Sequence, residues 1–313
     1  MRTFQEVFSS LTSRRRYEVW FIRFGLADGS GAWWLRYLLM NPGRGGCAGD
    51  PWQMPVQVWA TWVPRDSAPH TFIERFPLDR LELSDKGQNP FHFRCGNNEI
   101  EQDACRGALN VDGHSIEWDL RYRSTFRMMM SDMGWIGFSA TPHSDAIFSG
   151  YVKLDGRLFQ GETLGFGLQG HNCGYRHRDF WIWAHAYFQR SGEPASTLEA
   201  LIYNMPFGLV FRKAVLWHEG RQRIFHRVTE TRRDHGKFQW EIAASTEDRF
   251  GLEVAFNGEG PGRHRLAYVR TNCSGTFEVL NNSLSQATMR LRTLHGTESF
   301  KTADGAVLEM GGL

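Results

Sequence analysis

The hydrophobic pattern of this chain is dominated by period two. Tyr17 to Phe24 reads as a strand apolar on both faces, Asp28-Gly29 as a hairpin turn, and Ala32 to Met40 as the returning strand, with Trp33, Leu35, Tyr37 and Leu39 on one face. Val56 to Val63 alternates again, Val56, Val58, Ala60 and Trp62 against Gln57 and Thr61. The clearest alternation runs from Ile116 to Arg127. Ile116, Trp118, Leu120, Tyr122 and Phe126 face one way, and Glu117, Asp119, Arg121, Arg123 and Arg127 face the other. One face of such a strand meets a core and the other meets water. Its arginines therefore belong to a solvated sheet face beside Glu117 and Asp119 rather than to a nucleic-acid footprint. Gly150 to Phe159, centred on Asp155-Gly156, is a further hairpin that leads into the Gly-rich stretch Leu164 to Phe188.

After that stretch the pattern restarts. Asp179 to Phe188, a polar loop from Gln189 to Ser196 and the apolar Leu201 to Tyr203 echo the first hairpin. Strands follow near Val210 to Trp217, Ile224 to Glu230, Phe238 to Ala244, Leu252 to Phe256, Leu266 to Arg270 and Thr276 to Val279, spaced as in a meander or up-and-down barrel. The expected fold class is all-β: two lipocalin-like β-barrel or β-sandwich units with a few short helices. The boundary falls between residues 174 and 182, giving an N-terminal unit of residues 1–177 and a C-terminal unit of residues 178–313. Helical spacing is confined to Phe4, Val7, Phe8 and Leu11, and to a turn that Ser196-x-x-Glu199 would cap. The Gly/Pro-rich segment Asn41 to Pro55 is long enough for a lid or flap.

Composition narrows the class. With 36 Lys plus Arg against 34 Asp plus Glu, no global field favours nucleic acid or an anionic membrane. The 12 Trp and 23 Phe suit large β cores and equally an apolar ligand cavity, and the methionines of Met128 to Met133 suit core filling or a pocket wall. Five cysteines without a Cys-x-x-Cys pair argue against a zinc ribbon or a redox pair. No apolar run approaches the roughly 18 residues of a membrane span, and the N-terminus lacks the apolar core of a signal peptide, so the expectation is a cytoplasmic protein. Peripheral membrane contact and the oligomeric state stay open.

The candidate chemistry lies in the Gly-rich stretch. Gly165-x-Gly167-x-x-Gly170 has the letters of a dinucleotide loop, yet a Trp-rich strand follows where a helix N-terminus would be needed. No nucleotide cofactor is expected. His171, His177 and His185 are too far apart along a strand for one ion, about 20 Å between the first two unless Gly174 folds the chain back, so no metal is expected. His171 and Asn172 have two readings: a turn whose side chains tie down loop carbonyls, or a polar pair projecting into a cavity. Asp179, Trp181, Trp183, His185 and Tyr187 share one face of the following strand. There Asp179 is either an acid held protonated by apolar neighbours or a surface partner of Arg176 or Arg178.

These residues resemble a known group. Tyr17-Glu18-Val19-Trp20-Phe21, Gly170-His171-Asn172-x-Gly174 and the Trp181-x-Trp183 strand are similar to motifs of the tandem lipocalin-like (calycin-type) carotenoid 1,2-hydratases, tocopherol-cyclase-like proteins and decalin-forming Diels–Alderases. The usual forms are Glu-Trp-Trp-Tyr and Asp-His-Asn-Trp-Gly, so Val19, Gly170 and Cys173 depart from them. The resemblance implies two β-units with an apolar cleft at their junction, and cofactor-free chemistry on isoprenoid- or polyene-like substrates. The expectation is a hydratase, cyclase or isomerase, and the alternative is a non-catalytic carrier of lipophilic molecules. Catalytic candidates are His171, Asn172, Asp179 and Glu18; substrate-binding candidates are Trp20, Tyr175, Trp181, Trp183, His185 and Tyr187.

Overall fold

The structure is a computed structural model, and it describes residues 16–41, 43, 53–84, 91–133, 137–190, 193–246, 250–271 and 274–312. The amphipathic segment at residues 1–13 and most of the Asn41 to Pro55 loop lie outside the described residues. The strands of the first half are β1 (Arg16–Leu26), β2 (Gly31–Asn41), β3 (Val56–Pro64), β4 (His70–Phe76), β5 (Leu81–Leu83), β6 (His92–Cys95), β7 (Asn98–Glu101), β8 (Ala104–Val111), β9 (His114–Arg123), β10 (Met128–Asp132), β11 (Gly137–Leu154) and β12 (Arg157–Gly174). Those of the second half are β13 (Trp181–Arg190), β14 (Glu193–Asn204), β15 (Val210–His218), β16 (Arg221–Phe225), β17 (Arg227–Asp234), β18 (Gln239–Ser245), β19 (Gly251–Asn257), β20 (His264–Val269), β21 (Thr276–Thr293) and β22 (Gly296–Gly311). Helical structure among the described residues is limited to single 3-10 turns at Leu78–Arg80 and Pro206–Gly208.

The strands form two antiparallel sheets. The first runs β4-β3-β2-β1-β12-β11-β9-β8-β7-β6-β5, with β10 added to β11. The second runs β16-β15-β14-β13-β22-β21-β19-β18-β17, with β20 added to β21. In the first, β4 returns against β8; in the second, β15 returns against β17, so each sheet curls around its own core. The fold is all-β and lipocalin-like, as expected. The hairpins at Asp28-Gly29 and Asp155-Gly156 are present, and β9 alternates buried Ile116, Trp118, Leu120 and Tyr122 with exposed Glu117, Asp119, Arg121 and Arg123. That strand ends at Arg123, because Asp145 accepts from the backbone N–H groups of Thr125 and Phe126 and draws the chain out of the ladder. Ser196 and Glu199 do not cap a helix. They lie in β14, where Glu199 pairs with His185 and the sheet ladder outweighs the local capping pattern.

Three apolar clusters organise the molecule. Trp20, Ile22, Phe24, Trp33, Leu35 and Trp118 fill the first sheet, and Ile182, Ala184, Phe225, Trp240 and Phe256 fill the second. The third lies between the sheets and takes the opposite faces of the same strands: Val19, Phe21 and Trp34 from one side, Trp181, Trp183, Leu201 and Tyr268 from the other. This explains why Tyr17 to Phe24 is apolar on both faces. Met128 and Met130 are buried in this third cluster.

Polar staples cross the same interface. Arg23, fully buried, donates through Nε to the carbonyl of Ser283 at 3.1 Å and through Nη2 to those of Asp304 and Ala306, each at 2.9 Å. His185 binds the carbonyl of Ser144 at 2.9 Å, and Lys213 donates to that of Met129 at 2.7 Å. A buried charge held by several carbonyls fixes register as much as it stabilises.

Candidate functional site

The Gly-rich stretch is not a turn. Residues 165 to 174 lie within β12, paired residue by residue with β1 from Gly165↔Leu26 to Gly174↔Tyr17. Its glycines permit close approach instead. A Cβ on Gly170 would sit 2.2 Å from the ring of Phe21, and one on Gly167 would sit 1.9 Å from the carbonyl oxygen of Arg23.

Being on a strand separates His171 from Asn172, since neighbours point to opposite faces. His171 turns into the core of the first sheet. Its Nε2 meets Glu18 Oε1 at 2.9 Å with both side chains fully buried, Trp20 stacks on its ring at 4.9 Å, and Phe138 meets the ring edge-on at 5.0 Å. None of His171, Glu18 and Trp20 lines the cleft between the two sheets. Asn172, opposite Val19 in the register, turns the other way, toward the second sheet.

There it meets a cleft between the two sheets with a cavity of ≈ 120 Å³. Phe21 and Trp34 wall it from the first sheet, and Trp181, Trp183, Tyr203 and Tyr268 from the second. Phe21 and Trp183 meet edge-to-face at 5.6 Å. Polar residues of the lining include Asn172, Arg36, Glu309, Tyr17, Ser131 and Ser139, with Arg176, His177 and Arg178 from the connection between β12 and β13. Glu309 receives hydrogen bonds from Trp181 Nε1 at 2.9 Å, Tyr268 OH at 3.0 Å and Asn281 Nδ2 at 3.4 Å. Burial pushes its carboxyl above the ordinary range, while Arg36 and these donors pull it back. Burial likewise raises the phenols of Tyr17 and Tyr268, which stay protonated. His177, stacked on Tyr17 at 3.9 Å, is pushed down to about 3 by burial, Arg36 and Arg270, and is neutral.

The expected site residues thus divide. Asn172, Trp181 and Trp183 line the cleft. His185 and Tyr187 are buried beside it in the interface, His185 tied to Ser144 and Tyr187 packed on Phe166. Tyr175 is exposed, as is Asp179, whose carboxylate faces Arg176 at 3.6 Å. Asp179 precedes β13 and lies off its apolar face, in the exposed pair with Arg176. Arg36, Tyr268 and Glu309 escaped the sequence reading. The signal was present for two of them: a lone Arg within Ala32 to Met40, and a lone Glu within the apolar run Ala306 to Met310. Glu199 carries the same signal. It accepts from Trp183 Nε1 at 2.8 Å and from Thr141, and burial pushes it up to about 7.

Metal-type clusters lie elsewhere. Among the described residues, His92 with Glu99 and Glu101, and His218 with Glu219 and Glu298, bring ligand atoms within 4.8 Å. None of these residues lines the cleft.

No protein-family model and no curated protein matches the sequence. Solved structures match its fold over nearly the whole chain. CghA with Sch210972 aligns with a TM-score of 0.62 at 10% identity, covering 95% of this chain and 88% of that one. Kievitone hydratase from Nectria haematococca aligns at 0.57 and 10% identity, covering 98% and 93%. An AttH-type protein from Nitrosomonas europaea aligns at 0.54 and 12% identity, covering 96% and 93%. At these identities the likeness is one of fold: the chain has the tandem lipocalin-like architecture. No helix among the described residues is long and apolar enough to cross a membrane.

Proposed function

We propose that the protein is a cofactor-independent enzyme, a hydratase, cyclase or isomerase, acting on a hydrophobic isoprenoid- or polyene-like small molecule in the cleft between its two lipocalin-like domains, residues 1–177 and 178–313, in the cytoplasm. The observation that carries this reading is Glu309, a buried carboxyl of raised pKa set in an aromatic wall. A buried acid whose pKa is raised holds its proton more readily than a free carboxyl and can pass it to an alkene or carbonyl and take it back, and rigid aromatic walls hold a flexible chain near its reactive shape. Asn172 orients the polar end of the substrate. Trp181 and Trp183 form the wall beside the acid, and positive charge developing on a polyene is favoured over such ring faces.

One observation favours a carrier instead. Both oxygens of Glu309 are already engaged by Trp181, Tyr268 and Asn281, as suits a structural acid. The two readings separate in one experiment: a panel of unsaturated lipophilic compounds incubated with the protein in heavy water and analysed by mass spectrometry. An enzyme gives a product carrying deuterium, and Glu309→Gln lowers the rate by about 100-fold or more while the ligand still binds. Recovery of every compound unchanged, with one bound stoichiometrically, makes the protein a carrier. Full turnover by Glu309→Gln removes Glu309 from the chemistry.

A further inference from the structure

Arg36 is the cation of a strand buried along its whole length, and it is itself only 5% exposed. Its guanidinium carbon lies 4.3 Å from the ring centre of Tyr268, 4.7 Å from Trp59 and 5.3 Å from Trp34. Three aromatic faces hold the group in place and supply part of what it loses by leaving water. The Tyr268 hydroxyl also serves the group as a hydrogen-bond acceptor. Nε and Nη1 have no partner, and no carboxylate lies within ion-pair distance among the described residues. Glu309 shares the cleft, but its oxygens accept from Trp181, Tyr268 and Asn281. Buried donors of this kind call for an acceptor.

A second cation stands on the same lining. Arg178 lies over the ring of Tyr203 at 5.0 Å, and its polar contact is the sulfur of Met133 at 3.9 Å; it too has no carboxylate partner among the described residues. Arg176 differs, because its charge faces Asp179. His177 adds no charge, and its Nδ1 is another buried polar atom without a partner. The cleft therefore presents two guanidinium groups without an ion-pair partner among the described residues, and its one buried carboxyl, Glu309, acts on Arg36 only from beyond ion-pair distance. In contrast, Arg23, the other buried arginine of the interface, is fully supplied with carbonyl acceptors.

We propose that the cleft takes a hydrophobic molecule bearing a carboxylate or an equivalent planar oxyanion at one end, anchored by Arg36 with Arg178 as the second cation, its apolar body against Phe21, Trp34 and Trp183. A guanidinium is the side chain whose planar donors fit a two-oxygen anion, and the burial of Arg36 strengthens the attraction. An oxyanion beside Glu309 also favours the protonated form of that carboxyl, the form a proton donor needs. The inference rests on the cleft being the ligand site, as the proposed function does, and not on turnover.

Binding tests it directly. Quenching of tryptophan fluorescence is titrated with cis-parinaric acid and its methyl ester, with retinoic acid and its methyl ester, and with dodecanoic acid and its methyl ester. The native protein binds the acid at least tenfold more tightly than the ester in one or more pairs. Arg36→Gln removes that preference, Arg36→Lys keeps part of it, and Arg178→Gln weakens it by a smaller factor. Equal affinity for acid and ester in all three pairs, no binding of any, or an unchanged preference in Arg36→Gln overturns the proposal. Should Arg36→Gln fail to fold, Arg178→Gln and Arg36→Lys decide it, and an unchanged preference in both counts against it. An acid preference without turnover leaves this inference standing and sinks the enzymatic reading; turnover of a neutral compound with no acid preference does the reverse.

Discussion

Strands β1 and β12 carry, on their two faces, two different ways of burying ionisable groups. On the inner face Glu18 and His171 are sealed against each other at 2.9 Å under the ring of Trp20. On the outer face Asn172, Val19 and Phe21 line the cleft beside Arg36 of the neighbouring strand β2 and look across it toward Glu309 of the second sheet; Arg36 and Glu309 are buried but form no ion pair with each other. The inner pair is satisfied and closed, as befits a group that holds two strands together. Of the outer groups, Arg36 keeps donors without a partner.

The comparison breaks most sharply at Glu18. Glu18→Ala leaves His171 without its buried partner and should cost about 3–5 kcal/mol of unfolding free energy by urea titration, with His171→Ala adding little on top. A cost below about 1 kcal/mol would show that the pair is not structural. The next effect concerns His185 and Glu199, opposite each other in the β13–β14 ladder. His185 is pushed from 6.5 down to about 3 by burial and Arg23, so stability falls as pH drops below 6.5, where only the unfolded chain gains the proton. Glu199 is pushed from 4.5 up to about 7 by burial, so stability falls as pH rises from 4.5 to 7, by roughly 3 kcal/mol, where only the folded chain keeps the proton. Between 4.5 and 6.5 the two slopes oppose, and unfolding free energy should run nearly level. Glu199→Gln should remove the loss on the neutral side and leave the acid side; a profile identical to the native one would discount Glu199.

Gly170→Ala comes third. The new methyl displaces Phe21, at a cost of about 1–3 kcal/mol, and because Phe21 walls the cleft it should also weaken ligand quenching of fluorescence. Stability loss with binding untouched would mean that Phe21 is core and not wall. Asp179→Asn is the smallest: an exposed pair with Arg176 predicts a change within about 0.5 kcal/mol and no effect on turnover.

Much of the fold could be read from the chain. Alternation at Ile116 to Tyr122, the turns at Asp28-Gly29 and Asp155-Gly156, and the restart after residue 178 all have local causes, namely side-chain period and turn chemistry. The site was less legible. Local reasoning left His171 and Asn172 between a turn, which Gly and Asn favour, and a polar pair in a cavity, whereas the ring of Phe21 on the neighbouring strand is what requires Gly170. Glu18, Trp20 and His171 stand out as polar and aromatic groups together, yet they are inside the first core. Asp179 lies two residues before β13 and does not share its burial.

By itself, the sequence determined that the chain is all-β, that it is built as two successive strand series, and that the strands near residues 17–24 and 181–188 have two apolar faces. A period of two says that a strand has two faces, but when both are buried it does not say what each one meets. Only the packing of one sheet on the other decided that Trp181 and Trp183 face Phe21, that Asn172 parts company with His171, and that Arg36 from β2 and Glu309 from β22 come to line one cleft. Those residues are brought together by strand register and sheet curvature, which depend on contacts between distant segments, and no window along the chain contains them.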